Sequence, residues 1–383
     1  MGQIKYRIST PFDGYKGWEH DGKIYRLAVA CGITETPDGE LLATTMTGGD
    51  TEPCDDHIAI IMRSKDHGQT WSEPEVLLGN ENGNNGSGGF YNVDGNSLIN
   101  GKNYVNFSRW PAEEKYAIWY NSAAETIDGG RTWSEEKPLL FDGQESGEYS
   151  LGNIIRTSDG TLLCSGGYAT PRPVPLTAGV ERLVHAKTVE EAAAMEPIKE
   201  GETPLDSGID KTYFRSVCME VSEDFTEYTV RGVVDGHPVS FMESSIIEMK
   251  DGSLAMLGRV EWAGFLWRSD SFDGGYTWTE GYQTDIPNPS SLTRFLRLPD
   301  GRIAMFLNPT GGVVGQRGDR KRLAVWVSND EMKTWYIKED IVAGEYYLSY
   351  PEPRILSDGT ICFGYDHNRR QAVYVEIEIP PME

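Results

Sequence analysis

Acidic, cationic and aromatic side chains collect at the ends of several apolar runs in this sequence. Asp55, Asp56 and His57 precede IAIIM, Arg109 and Trp110 follow NYVNFS, Glu243 precedes SSIIEM, and Arg259 and Trp262 close SLAMLGRVEW. Further on stand Ser291, Arg294 and Arg320, then Tyr350 and Glu352 in YPEPR, and Asp366, His367 and Arg369 in YDHNRR. Carboxylates take up and deliver protons. Arginines grip anions and hydroxyls by charge-assisted hydrogen bonds. A tyrosine becomes a nucleophile only when a base helps it. Whether these residues make one site depends on whether the chain brings the ends of those runs together.

Two repeats say how it does so. SKDHGQTW, TIDGGRTW, SFDGGYTW and SNDEMKTW share the pattern Ser/Thr-x-Asp-x-(Gly)-x-Thr-Trp, with a weak relative, SEDFTEY, from Ser222. The aspartate accepts backbone N–H bonds, glycine supplies a positive φ, and the tryptophan packs the turn onto a neighbouring layer. Separately, Asp-Gly or Asn-Gly joins two apolar runs at Gly39, Gly101, Gly160, Gly252, Gly301 and Gly359. Each is a hairpin signal, and a period of this length built from short strands reads as a β-propeller. The expectation is an all-β, six-bladed propeller of four-stranded antiparallel blades. It is one domain over 1–383, with an insertion in blade 3 at about 168–215 that holds the only helical candidate, 188–195. In blade 4 the strands are read as SSIIEMK, SLAMLGRV, GFLWRSDS and YTWTEGY. The N-terminal QIKYRIST supplies an outer strand that closes the ring on blade 6.

This wiring sorts residues by face. The Asp-Gly hairpins and the tryptophan turns share one end. The loops between second and third strands, and those between blades, share the other. The chemically capable residues above fall at that second end, so arginines and carboxylates converge at one mouth. The aspartates of the tryptophan turns, Asp66, Asp128, Asp273 and Asp330, are structural. Trp110 and Trp262 are candidate sugar platforms, and His57 and His367 candidate supporting residues.

Composition removes several classes of function. The chain has 383 residues and a net charge of −24, which argues against nucleic acid, whose binding needs clustered Lys and Arg. The five cysteines are scattered, with neither a disulfide framework nor a zinc spacing. No cofactor and no metal site are called for, and no apolar run is long enough for a membrane span. The N-terminal residues lack an apolar leader, so the expected location is cytoplasmic, or secreted or periplasmic if a leader has been trimmed.

With these repeats in hand, the sequence resembles the sialidase (neuraminidase) superfamily of Asp-box, or BNR-repeat, propellers over nearly its whole length. ESSIIEMKDGSLAMLGR resembles the family's blade 4 segment, YPEPRILSDGTICFGYD the segment with the nucleophilic tyrosine, and CDDHIAIIMRSKD the loop with the acid/base aspartate. The resemblance implies Tyr350 as nucleophile, Glu243 as its base and Asp55, with Asp56 as the alternative, as proton donor. Arg259 and Arg320, with Arg322 close behind, would grip a substrate carboxylate. Asp56, His57, Arg109, Arg294, Glu352, Asp366, His367, Arg369 and Trp262 would line the substrate. One element of the family pattern is missing. The Arg-Ile-Pro that opens blade 1 is absent near Val29, Arg26 lies three residues too early, and the arginine expected after ELLATT reads MTGG.

The resemblance implies a glycoside hydrolase acting in exo fashion on non-reducing-end sugars of a glycan. Three alternatives stay open on the residues alone. One is a glycosidase for a non-sialic sugar using a carboxylate pair, Asp55 with Glu243 or Glu352. Another is a polysaccharide lyase built on Tyr350, His57 and an arginine. The last is a non-catalytic glycan-binding propeller.

Overall fold

The computed structural model describes residues 3–49, 56–80, 84–111, 120–147, 149–171, 212–234, 242–260, 263–312 and 318–382. Asp55, Trp262 and the helical candidate 188–195 lie outside them. The described chain forms six blades and one two-stranded hairpin. The innermost strands are Val29–Glu35, Asn84–Phe90, Tyr149–Arg156, Met242–Glu248, Arg294–Arg297 and Leu348–Ile355. The sequence-level expectation of a six-bladed propeller holds, and no helix of the described residues is long and apolar enough to cross a membrane.

The strands form because apolar side chains must be buried on both faces of each blade. Six buried apolar clusters result, one in each seam between consecutive blades. Phe306 meets Phe363 between blades 5 and 6, and Ile33 and Met62 meet Cys362 and Tyr374 between blades 1 and 6. The core is therefore a ring of seams rather than a single centre. The N-terminal strand Lys5–Asp13 closes the ring by pairing with Gln371–Glu378 as the outer strand of blade 6.

All six turn glycines have positive φ, from 75° at Gly101 to 93° at Gly160, the conformation that an Asp-Gly hairpin demands. In the tryptophan turns, the aspartate binds the backbone N–H and hydroxyl of the threonine four residues on; Asp273 takes Thr277 N–H at 2.9 Å and Thr277 Oγ1 at 2.6 Å. That threonine hydroxyl is the largest influence holding the carboxyls of Asp66, Asp273 and Asp330 down at about 2. In blade 3 the SEDFTEY turn differs: Asp224 bonds Thr226, two residues on, and Phe225, with a φ of 59° in the place a turn glycine takes, stacks on Tyr91 at 4.8 Å.

Two expectations need correction. The fourth strand of blade 4 is Tyr282–Pro287, not YTWTEGY, because the Asp273 bonds wind the chain into a loop through Thr277. Blade 3 has six strands rather than four. The linker LLFDGQE folds at Asp142–Gly143 into a small hairpin, whose Leu140–Phe141 arm pairs in parallel with Glu227–Val234. The second and third strands of blade 3 stay paired out to Pro171 and Thr212, so the flanks of the insertion leave and return at the mouth, and residues 172–211 lie outside those described.

Ion pairs lace neighbouring blades at the hairpin end. Glu40, whose side chain is 4% exposed, binds Arg131 at 2.6 Å and Arg63 at 3.4 Å. Glu40→Ala removes the carboxylate that Arg131 binds and leaves Arg63 with Glu75 alone, and is expected to lower stability by about 2 kcal/mol. The change should appear as a lower denaturant midpoint at unchanged slope.

Candidate active site

The site is built on a local irregularity of three innermost strands. Each carries a β-bulge, between Val29 and Gly32, Met242 and Ser245, and Ser349 and Glu352. The residue nine positions before the turn glycine has a left-handed backbone in each: Ala30 at 57°, Glu243 at 46° and Tyr350 at 58°. A non-glycine residue held there costs on the order of 1–2 kcal/mol. Bulges re-aim side chains, and such strain clusters at functional sites. Blades 4 and 6 place Glu243 and Tyr350 at equivalent positions of the mouth, and blade 1 places only a methyl group there.

Tyr350 Oη lies 3.3 Å from Glu243 Oε1. The other Glu243 oxygen accepts a 2.7 Å hydrogen bond from Arg259 Nη1. Burial works against the charge of Glu243, but Arg259, then Arg320 and Arg294, outweigh it and hold the carboxyl below its ordinary range. The negative charge of Glu243, followed by burial, raises the Tyr350 phenol above its own range, against the pull of Arg259, Arg369 and Arg320. The resting pair is thus a carboxylate accepting a hydrogen bond from a neutral phenol.

Two further guanidinium groups flank the tyrosine ring, Arg369 at 5.1 Å and Arg320 at 5.9 Å from its centroid. Arg320 is held by Ser349 Oγ at 3.2 Å and the Ser290 carbonyl at 2.6 Å. Its charge is disfavoured first by burial and then by Arg259. Arg259, Arg320, Tyr350 and Arg369, with Tyr347 and Asn368, line an open cleft of about 350 Å³. Among the described residues cations outnumber carboxylates here, a balance that suits an anionic group.

Arg369 arrives by a different route from the others. Its loop is pinned by Gly14 N–H to the Arg370 carbonyl at 2.7 Å and by Ala28 N–H to the Arg369 carbonyl at 3.0 Å. Gly14 must lack a side chain, since a Cβ would stand 1.9 Å from the Arg26 carbonyl oxygen. Asp366, fully buried, takes Ala30 N–H at 3.2 Å and stands 3.9 Å from Arg369 Nε. Where blade 1 lacks an arginine, the blade 6 loop brings one to the same mouth.

The other sequence candidates sit elsewhere. Arg294 and Glu352 pair at 2.9 Å between the neighbouring innermost strands of blades 5 and 6, with Arg294 also bonded to Ser245 Oγ and Glu352 lying 3.7 Å from Arg354. Arg109 is bound by both oxygens of Glu136, at 2.8 and 2.9 Å, on the outer part of blade 2. His57 is buried with its ring edge-on to the equally buried Trp110. Asp56 pairs with Lys23 of the Trp18–Tyr25 hairpin at 2.5 Å. His367 lies beside Tyr346 at 5.8 Å, and Arg322 is bound by Asp340. Arg26 has its guanidinium against the Gly17 turn. Among the described residues no cluster of His, Cys, Asp and Glu could hold a metal ion. Ser349, Tyr347, Asn368 and the Ser290 carbonyl join the site without a sequence signal of their own, apart from the closeness of Tyr347 and Ser349 to Tyr350.

A ring of six blades with a Tyr–Glu pair and an arginine cluster at one mouth defines a propeller of the sialidase-like fold. A model of the BNR repeat-like domain matches residues 104–362, well over half of the chain, and the chain belongs to that family. Solved structures similar to it include a protein of unknown function from Dyadobacter fermentans, at 15% identity and TM-score 0.65, covering 97% of this chain and 99% of that one. A variant of the NanB sialidase of Streptococcus pneumoniae is 13% identical with TM-score 0.60, covering 96% and 70%. An α-L-arabinanase of Penicillium chrysogenum, solved with arabinobiose, is 14% identical with TM-score 0.58, covering 97% of both chains. No curated protein matches the chain in sequence.

Burial pushes the Asp366 carboxyl up to about 6, against the pull of Arg369 and of the backbone N–H groups of Ala30 and Arg369. A carboxyl whose folded pKa exceeds its ordinary value of 3.8 contributes stability that is full below 3.8 and lost as the pH rises through about 6. Asp366→Asn is therefore expected to remove one component of the decline in stability across that interval. Denaturant midpoints of the two proteins measured as a function of pH check this.

Proposed function

We propose that the chain is a glycoside hydrolase that cleaves a terminal, carboxylate-bearing sugar from a glycan, with Tyr350 as nucleophile. The observation that carries this reading is the Tyr350–Glu243 contact at 3.3 Å set among Arg259, Arg320 and Arg369. An anomeric carbon bearing a carboxylate repels a charged Asp or Glu nucleophile, whereas a neutral phenol approaches it freely. As Tyr350 Oη bonds to that carbon, its proton passes to Glu243 Oε1, and no full phenolate has to form. The glycosidic C–O bond breaks and the leaving oxygen takes a proton from an acid on the opposite face, assigned to Asp55 or Asp56. Water, deprotonated by that same carboxylate, then displaces the tyrosine oxygen, which recovers its proton from Glu243. The three guanidinium groups supply charge-assisted bonds to the carboxylate.

The paired-carboxylate alternative is disfavoured by the commitment of Glu352 to Arg294 and Arg354 and of Glu243 to Arg259 and Tyr350, and the lyase alternative by the burial of His57 against Trp110.

Turnover is measured on aryl glycosides of N-acetylneuraminic, glucuronic and galacturonic acids beside those of galactose and arabinose. The N-acetylneuraminic acid glycoside, whose anomeric carbon bears the carboxylate, is expected to react, and the uronic acid and neutral glycosides are not. Glu243→Gln is expected to lower kcat by about 10²–10⁴-fold, Tyr350→Phe to abolish turnover, and Arg369→Met to raise KM for the anionic sugar. Turnover that survives Tyr350→Phe sinks the tyrosine mechanism. Preference for neutral sugars sinks the anionic substrate.

A further inference from the structure

Two cavities of about 340 and 290 Å³ lie between the innermost strands of the ring. The first is lined mainly by blades 1 to 3, the second by blades 3 to 6. Arg294, Glu352 and Arg354 line both and form the waist between them. Neither cavity shares a described lining residue with the Tyr350 cleft. At the waist, one carboxylate stands beside two guanidinium groups and serves only one. Glu352 Oε1 accepts hydrogen bonds from Arg294 Nε at 3.0 Å and Nη2 at 2.9 Å. Arg294 Nη1 donates to Ser245 Oγ at 3.1 Å, which completes its grip. Arg354 is 4% exposed. Its Nη1 donates to the Pro353 carbonyl at 2.8 Å and lies 3.7 Å from Glu352 Oε2, too far for a hydrogen bond. Its buried Nε has no hydrogen-bond partner among the described residues.

The charges near Arg354 do not balance it. Two further carboxylates act on the neighbouring thiols Cys31 and Cys362, as Arg354 does, and both are committed elsewhere. Glu35 takes the backbone N–H and hydroxyl of Ser357 at 2.6 and 2.8 Å. Asp366 takes Ala30 N–H and faces Arg369. Burial works first against the charge of Arg354, Glu352 supports it, and Arg294 opposes it. A buried lysine or carboxyl relieves such an imbalance by changing its protonation. A guanidinium keeps its proton throughout the accessible pH range. The charge of Arg354 therefore stays, and a buried charge is tolerated where it is paired and hydrogen-bonded. The cavities on either side of the waist give room for a partner. The surplus is one positive charge, so the partner that restores balance carries one negative charge.

We propose that the waist binds a small monovalent anion of the size of chloride, which pairs with Arg354 and leaves Glu352 to Arg294. The site is separate from the Tyr350 cleft and does not depend on the carbohydrate reading of it. Two measurements test it. Crystals of the full chain are soaked in sodium bromide, and bromine is located by its anomalous scattering. A peak in contact with Arg354 Nε is expected. In solution, thermal melting is followed against sodium chloride for the wild type, Arg354→Met and Arg369→Met. The chain carries −24, so salt also stabilises it by screening self-repulsion, and the quantity read is the difference between proteins at equal salt. Chloride at about ten times its dissociation constant is expected to raise the wild-type melting temperature about 2 °C more than that of Arg354→Met. Arg369→Met removes a cation of the Tyr350 cleft and is expected to keep the full rise. Arg354→Met leaves Glu352 bound to Arg294, so it strands no charge and is expected to fold; if it does not, the bromine peak alone decides. The site is overturned if no peak touches Arg354, or if Arg354→Met and the wild type respond alike to chloride. It is overturned as well if Arg369→Met loses the rise and Arg354→Met keeps it, since the anion then belongs to the Tyr350 cleft.

Discussion

The pairing of Lys5–Asp13 with Gln371–Glu378 is the contact on which the rest depends. A propeller blade buries its faces only against its neighbours, so an open ring would leave the seam between blades 1 and 6 exposed. That seam holds Phe12, Ile33, Cys31 and Tyr374. The strand brings the two ends of the chain into one sheet, and its C-terminal continuation, Gly14, pins the loop of Arg369. Ring closure and assembly of the cleft are thus consequences of the same segment, and the geometry around Tyr350 is as rigid as the pairing that closes the ring.

A propeller presents many strand ends at its mouth, and what turns a few of them into a site is the bulge. A regular strand would keep Glu243 and Tyr350 in the alternation of their blades. The left-handed residue at each bulge breaks that alternation and turns the side chain to the mouth. The strain is tolerated because the flanking strand residues are paired and buried on both sides. Blade 1 carries the same bulge with Ala30, so the backbone device is repeated where the chemistry is not. The unused corner is filled from blade 6, by Arg369 over Tyr350 and by Asp366 on Ala30 N–H.

Charge is segregated along the axis of the ring. The chain as a whole carries −24, and the aspartates of the tryptophan turns spend their charge on backbone N–H and threonine hydroxyl groups at the hairpin end. The mouth is cationic, with Arg259, Arg320 and Arg369 close enough that burial and mutual repulsion disfavour the charge of Arg320. Net charge therefore says little about the local charge of the cleft. The arginines that matter are few, and they are distant in sequence.

The propeller was legible because its signals are local. A turn glycine at positive φ and an aspartate bonded to the threonine four residues on are properties of a few consecutive residues, and their recurrence counts the blades. SEDFTEY at Ser222 was weak for the same reason, since Asp224 bonds Thr226 only two residues on and Phe225 stands where a turn glycine would. Glu243 and Tyr350 were named through the resemblance of ESSIIEMKDGSLAMLGR and YPEPRILSDGTICFGYD to segments of the sialidase superfamily. What the sequence by itself determined is the blade count, the closing strand and the end of the ring to which each loop belongs. What only the tertiary structure decided is which of the residues at that end meet. Arg109, Arg294 and His57 share the end with Tyr350 and are drawn to Glu136, Glu352 and Trp110 instead. Arg369 reaches the tyrosine through a loop held by Gly14 and Ala28. Such partners depend on contacts between residues hundreds of positions apart, and no local pattern encodes them.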